Sequence, residues 1–459
     1  MDSGIGIGGL SIGKDEVASS SFDLFSPIEI ETSIRDATKI NVRPIAAADS
    51  GGPFKFCIPA DPDKWTDVES IRLRGKVTLK NSAGGTKTNF TNAGNEVSTV
   101  NNFYQSLFGS VIVTLNGVEI SDPARNWYPY KSYLETLLSY SKSTKDCRLA
   151  SQCFFSDTPD KFDSLGTVDG SGKTASNSDN KGYTDRKDWF KNSRTRYFNI
   201  PLHSDICTLR KYLPPNCKLE IDFFRHTDQF SLLSPYQSSD CAIVLEDLSL
   251  SLTRYTPSTS IQKFYSDKLS KTKKQVLPID RSLIKTYTVQ SGQSNLSHYN
   301  IISGHQLPDQ IIVGVVEQTS YSGSMQKNPF NFKHFDISEA SLVVNGIHEP
   351  SEPYKIDITN GDYSDLYNDF LLNTGIANED RDFGIGETDY LGGSFLLVFD
   401  RSKEKCNRFH RHKYDSGSID INLRTNSNLP VVVTVIVYAT YSSEIVIDDN
   451  GTVSIVKSF

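Results

Sequence analysis

Methionine is nearly missing from this 459-residue chain, which has two, and tryptophan is scarce, with three (Trp65, Trp127 and Trp189). No apolar run approaches the roughly 20 residues that a membrane-crossing helix needs, so no transmembrane segment is expected. The opening stretch MDSGIGIGGLSIGKDE lacks the basic start and long apolar core of a secretory signal. The chain is therefore expected to be made and used in the nucleus or cytoplasm and not secreted. Basic excess is missing too, since the formal net charge is −7. An acidic chain is ill suited to wrapping a duplex, because non-specific affinity comes from Lys and Arg neutralising phosphates. The cysteines (Cys57, Cys147, Cys153, Cys207, Cys217, Cys241 and Cys406) are odd in number, scattered, and form no CxxC pair. In a reducing compartment they read as free thiols.

Chemistry-bearing motifs are also sparse. GIGIGGLSIG looks like a glycine-rich nucleotide loop, but Gly4 has no strand before it, and the phosphate-binding mechanism requires one. Cys406, His410 and His412 are three candidate metal ligands at a spacing that matches no standard zinc pattern. With Arg401, Lys403, Lys405, Arg408, Arg411 and Lys413 around them, they read as a basic loop. Asp380 and Asp382 are better turn formers than an acid–base pair. The DLYND stretch at Asp365 lacks the glycine and distal glutamate of a calcium loop. No motif gathers a nucleophile, a base and an orienting acid. No catalytic residue, cofactor or metal is expected.

What the chain has instead is aromatic and β-branched. Tyr and Phe dominate the 11% aromatic share, which favours strands. Short β runs separated by turn signals extend from about residue 27 onward, among them SIRLRGKVTL, SVIVTLNGVEI, KLEIDFF, QIIVGVVEQT and VVVTVIVYATY. Strands of this length and spacing with few helices indicate an all-β sandwich or barrel. Residues 1–22 are Gly- and Ser-rich and read as a flexible N-terminal arm. The polar stretch 141–194 reads as a long insertion on an exposed face, away from the core. The Lys-rich DKLSKTKKQ at 267–275 reads as an exposed linker.

The chain also repeats itself. VIVTLNGVEI turns on Asn116-Gly117 and leads into the aromatic stretch NWYPYKSYLETLL. ASLVVNGIHE turns on Asn345-Gly346 and leads into DYSDLYNDFLL. Asn-Gly is the favoured pair for a tight hairpin. Tyr130, Tyr133, Leu134, Leu137 and Leu138 fall at i, i+3, i+4, i+7 and i+8, one face of a helix. Tyr363, Leu366, Tyr367, Phe370 and Leu371 repeat that spacing. Both sets read as core-facing packing. The later elements recur in order as well: RYFNIPL with SFLLVFD, KLEIDFF with SIDINLR, and AIVLEDLSLSLTRY with VVVTVIVYATY. An offset of roughly 200 to 230 residues implies two copies of one β domain and not a short-repeat solenoid.

SVIVTLNGVEI followed by YPYKSYLETLLSY, together with the C-terminal VVVTVIVYATYSSEIVIDDNGTVS, resembles the double jelly-roll major capsid proteins of polinton (Maverick) and adintovirus-like elements, in the tectivirus–adenovirus lineage. The resemblance runs from about residue 25 to the end and leaves 141–194 unmatched. It implies an all-β fold of two tandem jelly-roll β-sandwich domains, each with a short helix after the fourth strand. The first would be 23–257 and the second 258–459. It implies a homotrimer of pseudo-hexagonal outline that tiles an icosahedral shell, with penton and minor capsid proteins as further partners and packaged double-stranded DNA touched only indirectly. The arm 1–22 would be a tether on the inner face. The competing reading is a carbohydrate- or receptor-binding tandem β-sandwich, lectin- or fibre-like. Such a protein should carry Trp or Tyr with Asn and Asp on loops, whereas these aromatics sit at helix and strand periodicity.

Overall fold

The computed structural model describes residues 30–45, 51–82, 86–90, 97–121, 127–167, 178–235, 241–304, 306–376, 382–402 and 415–456. The arm 1–22, Cys406, His410, His412 and Asp380 lie outside the described residues.

The first half contains strands β1 (Ile34–Val42), β2 (Phe54–Ile58), β3 (Trp65–Asn81), β4 (Ser98–Thr99), β5 (Phe108–Leu115), β6 (Val118–Glu119), β7 (Arg196–Pro201), β8 (Leu219–Arg225), β9 (Leu232–Leu233) and β10 (Cys241–Pro257). Between them lie helices α1 (Phe103–Ser106), α2 (Tyr128–Ser139), α3 (Lys142–Cys147), α4 (Lys181–Trp189) and α5 (Asp228–Ser231). Helix α6 (Thr259–Thr272) leads to β11 (Lys274–Val289), β12 (His298–Gly304), β13 (Gln310–Glu317), β14 (Ile337–Val344), β15 (Ile347–Lys355), β16 (Leu396–Asp400), β17 (Gly417–Thr425), β18 (Val433–Asp448) and β19 (Val453–Val456). Helices α7 (Gln318–Ser322), α8 (Ser364–Asn373) and α9 (Glu387–Leu391) lie within this half.

The four main sheets run β1-β10-β3-β7 and β2-β8-β5-β6, then β11-β18-β13-β16 and β12-β17-β14-β15. Leaving aside the short β4–β9 pair and β19, each half uses eight strands. In both halves the first pairs with the eighth, the eighth with the third and the third with the sixth. The second pairs with the seventh, the seventh with the fourth and the fourth with the fifth. All named ladders are antiparallel. This connection is a jelly roll, and the fold is a double jelly roll.

Alternation sets the core. In β8, Leu219, Ile221 and Phe223 point inward while Glu220 and Asp222 stay half-exposed, as a sheet with one buried face requires. Each such buried side chain contributes roughly 1.5–3 kcal/mol of burial. β13 departs from alternation, since every residue from Ile311 to Val316 is buried. In β18 the same holds from Val433 to Ala439. Their second face is covered as well: Tyr438 reaches Glu135 of the first roll at 3.2 Å, and Gly314 lies against the Phe332 ring.

Antiparallel alternation divides the connections between two ends. The β5–β6 turn, α6 and the β18–β19 turn share one end, where Ser258 N–H donates to Ser33 O at 2.8 Å and Asn116 Nδ2 donates to Gly451 O at 2.8 Å. The long β3–β5, β6–β7, β13–β14 and β15–β16 connections gather at the other.

Three sequence-based expectations change. The helix of each roll, α2 or α8, follows the fifth strand and not the fourth, because the return arm of each Asn-Gly hairpin itself pairs as a strand (β6, β15). The 141–194 stretch is not an exposed excursion. Its described part folds into α3, α4 and turns, and it buries Leu149, Phe154, Phe162, Leu165, Tyr183 and Phe190. Its polar composition hid sparse apolar anchors spaced too widely for periodicity to register. The Lys-rich linker is largely helix α6, running directly into β11.

Candidate functional site at the seam between the rolls

The two Asn-Gly turns are built alike. Asn116 and Gly117 have φ of 48° and 85°, and Asn345 and Gly346 have φ of 51° and 84°. Both pairs are left-handed, as a two-residue hairpin that follows strand twist requires. Each asparagine also braces the start of the seventh strand. Asn116 Oδ1 accepts from Lys218 N–H at 2.7 Å, and Asn345 Oδ1 accepts from Ser418 N–H at 3.0 Å.

The helices that follow differ. α2 starts with Pro129 in its first turn, where a missing N–H costs nothing. Tyr130, Tyr133, Leu134 and Leu137 are buried, and Leu138 is half-buried. Tyr133 stacks on Phe330 of the second roll at 4.2 Å between centroids and an interplanar angle of 6°. Tyr130 stacks on Tyr321 at 5.7 Å and meets Phe330 and Phe332 edge-on. Edge and offset geometries suit the ring quadrupoles. The α2 stripe thus fills the space between the rolls. In α8, Leu366 and Phe370 are buried, while Tyr363, Tyr367 and Leu371 are half-buried. Tyr363 precedes the helix as its N-cap and its hydroxyl donates to Glu387 at 2.6 Å. Tyr367 and Phe370 pack on Tyr390 at 5.3 and 5.0 Å, within the second roll.

Two charged clusters lock the same seam, and no sequence motif marked either. In one, the Lys131 ammonium, buried on α2, donates to Asp205 and to Ser282 of β11, with Glu135 at 3.3 Å. Burial disfavours its charge, but the Asp205 and Glu135 carboxylates outweigh that and hold its pKa above the ordinary lysine value. Glu135 is likewise held low against its burial, by Lys131 and His203. Glu135 Oε1 accepts from the Tyr438 hydroxyl of β18 at 3.2 Å, and Oε2 lies 2.7 Å from His203 Nδ1. Beside this cluster lies an open cavity of about 670 Å³, lined by Arg72, Arg210, Asp280 and Ile312 among others.

The second cluster belongs to the 141–194 stretch. Arg186 on α4 and Asp157 have fully buried side chains 2.5 Å apart. Arg186 also donates to Thr99 O at 2.7 Å and Phe155 O at 2.5 Å. Asp157 also accepts from Asn180 at 2.8 Å and from Asn328 of the second roll at 3.0 Å. Nearby, Asp163 meets Lys333 at 3.2 Å, and Lys333 meets Glu317 at 2.6 Å. Lys145 donates to Leu137 O and, across the seam, to Phe383 O, both at 2.6 Å. Burial lowers its pKa to about 8. Buried charges persist only when paired and hydrogen-bonded, and here partners come from both rolls. Glycine completes the fit: a Cβ on Gly393 would meet the Phe162 ring at 2.4 Å.

Among the described residues, no group of three His, Cys, Asp or Glu is placed to hold a metal. Cys153 and Cys207 are buried thiols pushed up to about 12 by burial, far from the nucleophilic thiolate range. The tryptophans are occupied as well. Trp127 is buried, Trp65 packs on Tyr265 at 4.7 Å, and Trp189 lies under Arg196 at 4.0 Å. Among the described residues, no helix is long and apolar enough to cross a membrane.

The fold places the chain in a recognisable structural class, the double jelly rolls. The 3.5 Å cryo-EM structure of the Sputnik virophage aligns with a TM-score of 0.60 over 97% of this chain and 93% of that one, at 12% identity. The mavirus major capsid protein aligns at 0.52 over 98% and 96%, with 10% identity. The Faustovirus major capsid protein aligns at 0.52 over 92% of both chains, with 8% identity. At such identities the likeness is one of fold. No family model matches the sequence. An uncharacterised Caenorhabditis elegans protein, F54H12.2, is 24% identical over 275 residues, which are 58% of this chain and 59% of that protein. The match thus spans under two thirds of that relative's length.

Proposed function

We propose that this chain is a major capsid protein: a structural, non-enzymatic building block of an icosahedral shell around a double-stranded DNA genome. The observation that carries the reading is the double jelly roll, which aligns over 98% of this chain with the mavirus major capsid protein; in this chain a buried seam fixes the two rolls. Two similar rolls held rigidly side by side give a homotrimer six similar outer edges. Such a trimer fills hexagonal lattice positions with closed threefold symmetry. A loosely tethered pair could not, since lattice contacts need fixed relative positions. The domains we assign are 23–257 and 258–459, with 1–22 as an inner-face arm. The partners we assign are further copies of the chain, then penton and minor capsid proteins. The source we favour is a polinton- or adintovirus-like element, with assembly in the host nucleus or cytoplasm. The packed tryptophans weigh against a tryptophan-based glycan platform.

Light scattering after size exclusion, followed by negative-stain imaging at rising concentration, tests this. The chain is 51.1 kDa, so a trimer of roughly 150 kDa with a hexagonal outline is expected. A monomer that never assembles at any concentration overturns the reading.

A further inference from the structure

Helix α6 joins the rolls at the plain end of the molecule, opposite the long connections. It contains no buried residue. Gln262, Tyr265 and Leu269 are half-buried and face the body, with Tyr265 against Trp65. A neighbouring exposed stripe, spaced i, i+3, i+7 and i+10, is Ile261, Phe264, Lys268 and Lys271. Phe264 is 61% exposed and Ile261 39%. The Lys268 ammonium sits 5.6 Å from the Phe264 ring centroid, so charge and ring share one spot. Lys263, Lys273 and Lys274 add to it, and Asp267 is the one acid from 259 to 274. Ile30, 84% exposed, and Ile261 line a recess of about 370 Å³ whose other lining residues, Glu31, Thr32, Ser33, Ser258 and Ser260, are polar. Among nearby acids, Asp449 lies beside Lys273, its N–H donating to the Lys273 carbonyl at 3.0 Å, and two others are hydrogen-bonded within their own turns. Glu31 accepts from Ser33 N–H, and Asp448 accepts from the N–H groups of Asn450 and Thr452.

We propose that α6 is a docking face for an anionic lipid surface. A helix lying in a membrane interface needs apolar side chains that enter the acyl boundary and lysines that meet anionic headgroups. α6 presents both on one stripe about 15 Å long. Duplex DNA would use the lysines but gain little from Phe264, which has no base to stack on in a closed helix. An acidic protein groove would use the lysines and gain from covering Phe264, but it would have to match the stripe's shape, whereas a fluid headgroup layer adapts to it. The lipid face is independent of the shell reading, and its test does not use oligomeric state.

The test is co-flotation of the full-length protein with phosphatidylcholine vesicles, with and without phosphatidylserine. Flotation is expected only with phosphatidylserine, falling as salt rises. Phe264→Asp should abolish it. Lys268→Glu with Lys271→Glu should weaken partitioning by at least roughly fivefold per lysine. Circular dichroism melts confirm folding, and the lysine pair provides the reading if Phe264→Asp misfolds. The proposal is overturned if wild type stays at the bottom of the gradient with phosphatidylserine. It is also overturned if both variants float like wild type, or if the protein retains duplex DNA through these lysines while ignoring vesicles. Failure here leaves the trimer test unaffected, and a monomer that floats leaves this face intact.

Discussion

Replacing Asp157 with asparagine removes one negative charge and almost no volume from the centre of the seam. The cost follows from what is left behind. Arg186 keeps its hydrogen bonds to Thr99 O and Phe155 O, but its charge becomes buried without a counter-ion. Breaking a buried pair in this way typically costs about 3–5 kcal/mol. The bond from Asn328 to Asp157 Oδ2 is charge-assisted and weakens as well, which places the expected loss toward the upper end of that range. Against a typical total stability of about 5–15 kcal/mol, that is a large fraction. Replacing both partners with apolar residues, Asp157→Leu with Arg186→Met, should cost clearly less than the sum of the single changes, because no charge is then stranded. Guanidinium unfolding of the four proteins closes the cycle, and hydrogen exchange localises the effect. In Asp157→Asn, the amides of 153–165 and of 326–333 should lose protection together, since the carboxylate ties the two segments. A single-variant cost below about 1 kcal/mol, or loss of protection confined to the 141–194 side, would refute the claim that this stretch is part of the joint.

Other expectations follow from the same geometry. Phe330→Ala removes the ring stacked on Tyr133; about 3–5 kcal/mol should be lost, and limited proteolysis should cut between the rolls sooner than in wild type. Gly314→Ala places a Cβ 2.5 Å from the Phe332 ring, so overpacking should cost roughly 1–3 kcal/mol, read as a lower denaturation midpoint. His226 is buried on Phe230 at 3.9 Å, and burial lowers its pKa to about 4 from 6.5. The unfolded chain therefore binds a proton near pH 6.5 that the folded chain refuses until about 4. This contribution is fully present above 6.5 and shrinks as pH falls to 4, by ~3 kcal/mol in all. Denaturation midpoints measured from pH 7 to 4 should fall less steeply in His226→Leu than in wild type; equal slopes would contradict the assignment.

Periodicity and turn chemistry carried much of the architecture into the sequence. Alternation in KLEIDFF, the two Asn-Gly pairs and the ordered recurrence of elements are local properties, because strand period and positive φ are decided within a few residues. The helical stripe of α2 was legible for the same reason. What that stripe packs against was not: Tyr133 and Phe330 are far apart in sequence, and only the folded chain stacks them. The α2 and α8 stripes have the same spacing, yet one fills the seam between the rolls and the other stays within its own. The role of 141–194 lay further out of reach, since its anchors are isolated residues among polar ones, and Asp157, Arg186 and Asn328 belong to no motif. Sequence alone determined strands, turns and the twofold repetition, because short-range sterics and side-chain period dictate them. Tertiary structure alone decided how the two rolls are joined, because a buried charge is stable only where the fold brings its partners within hydrogen-bond reach.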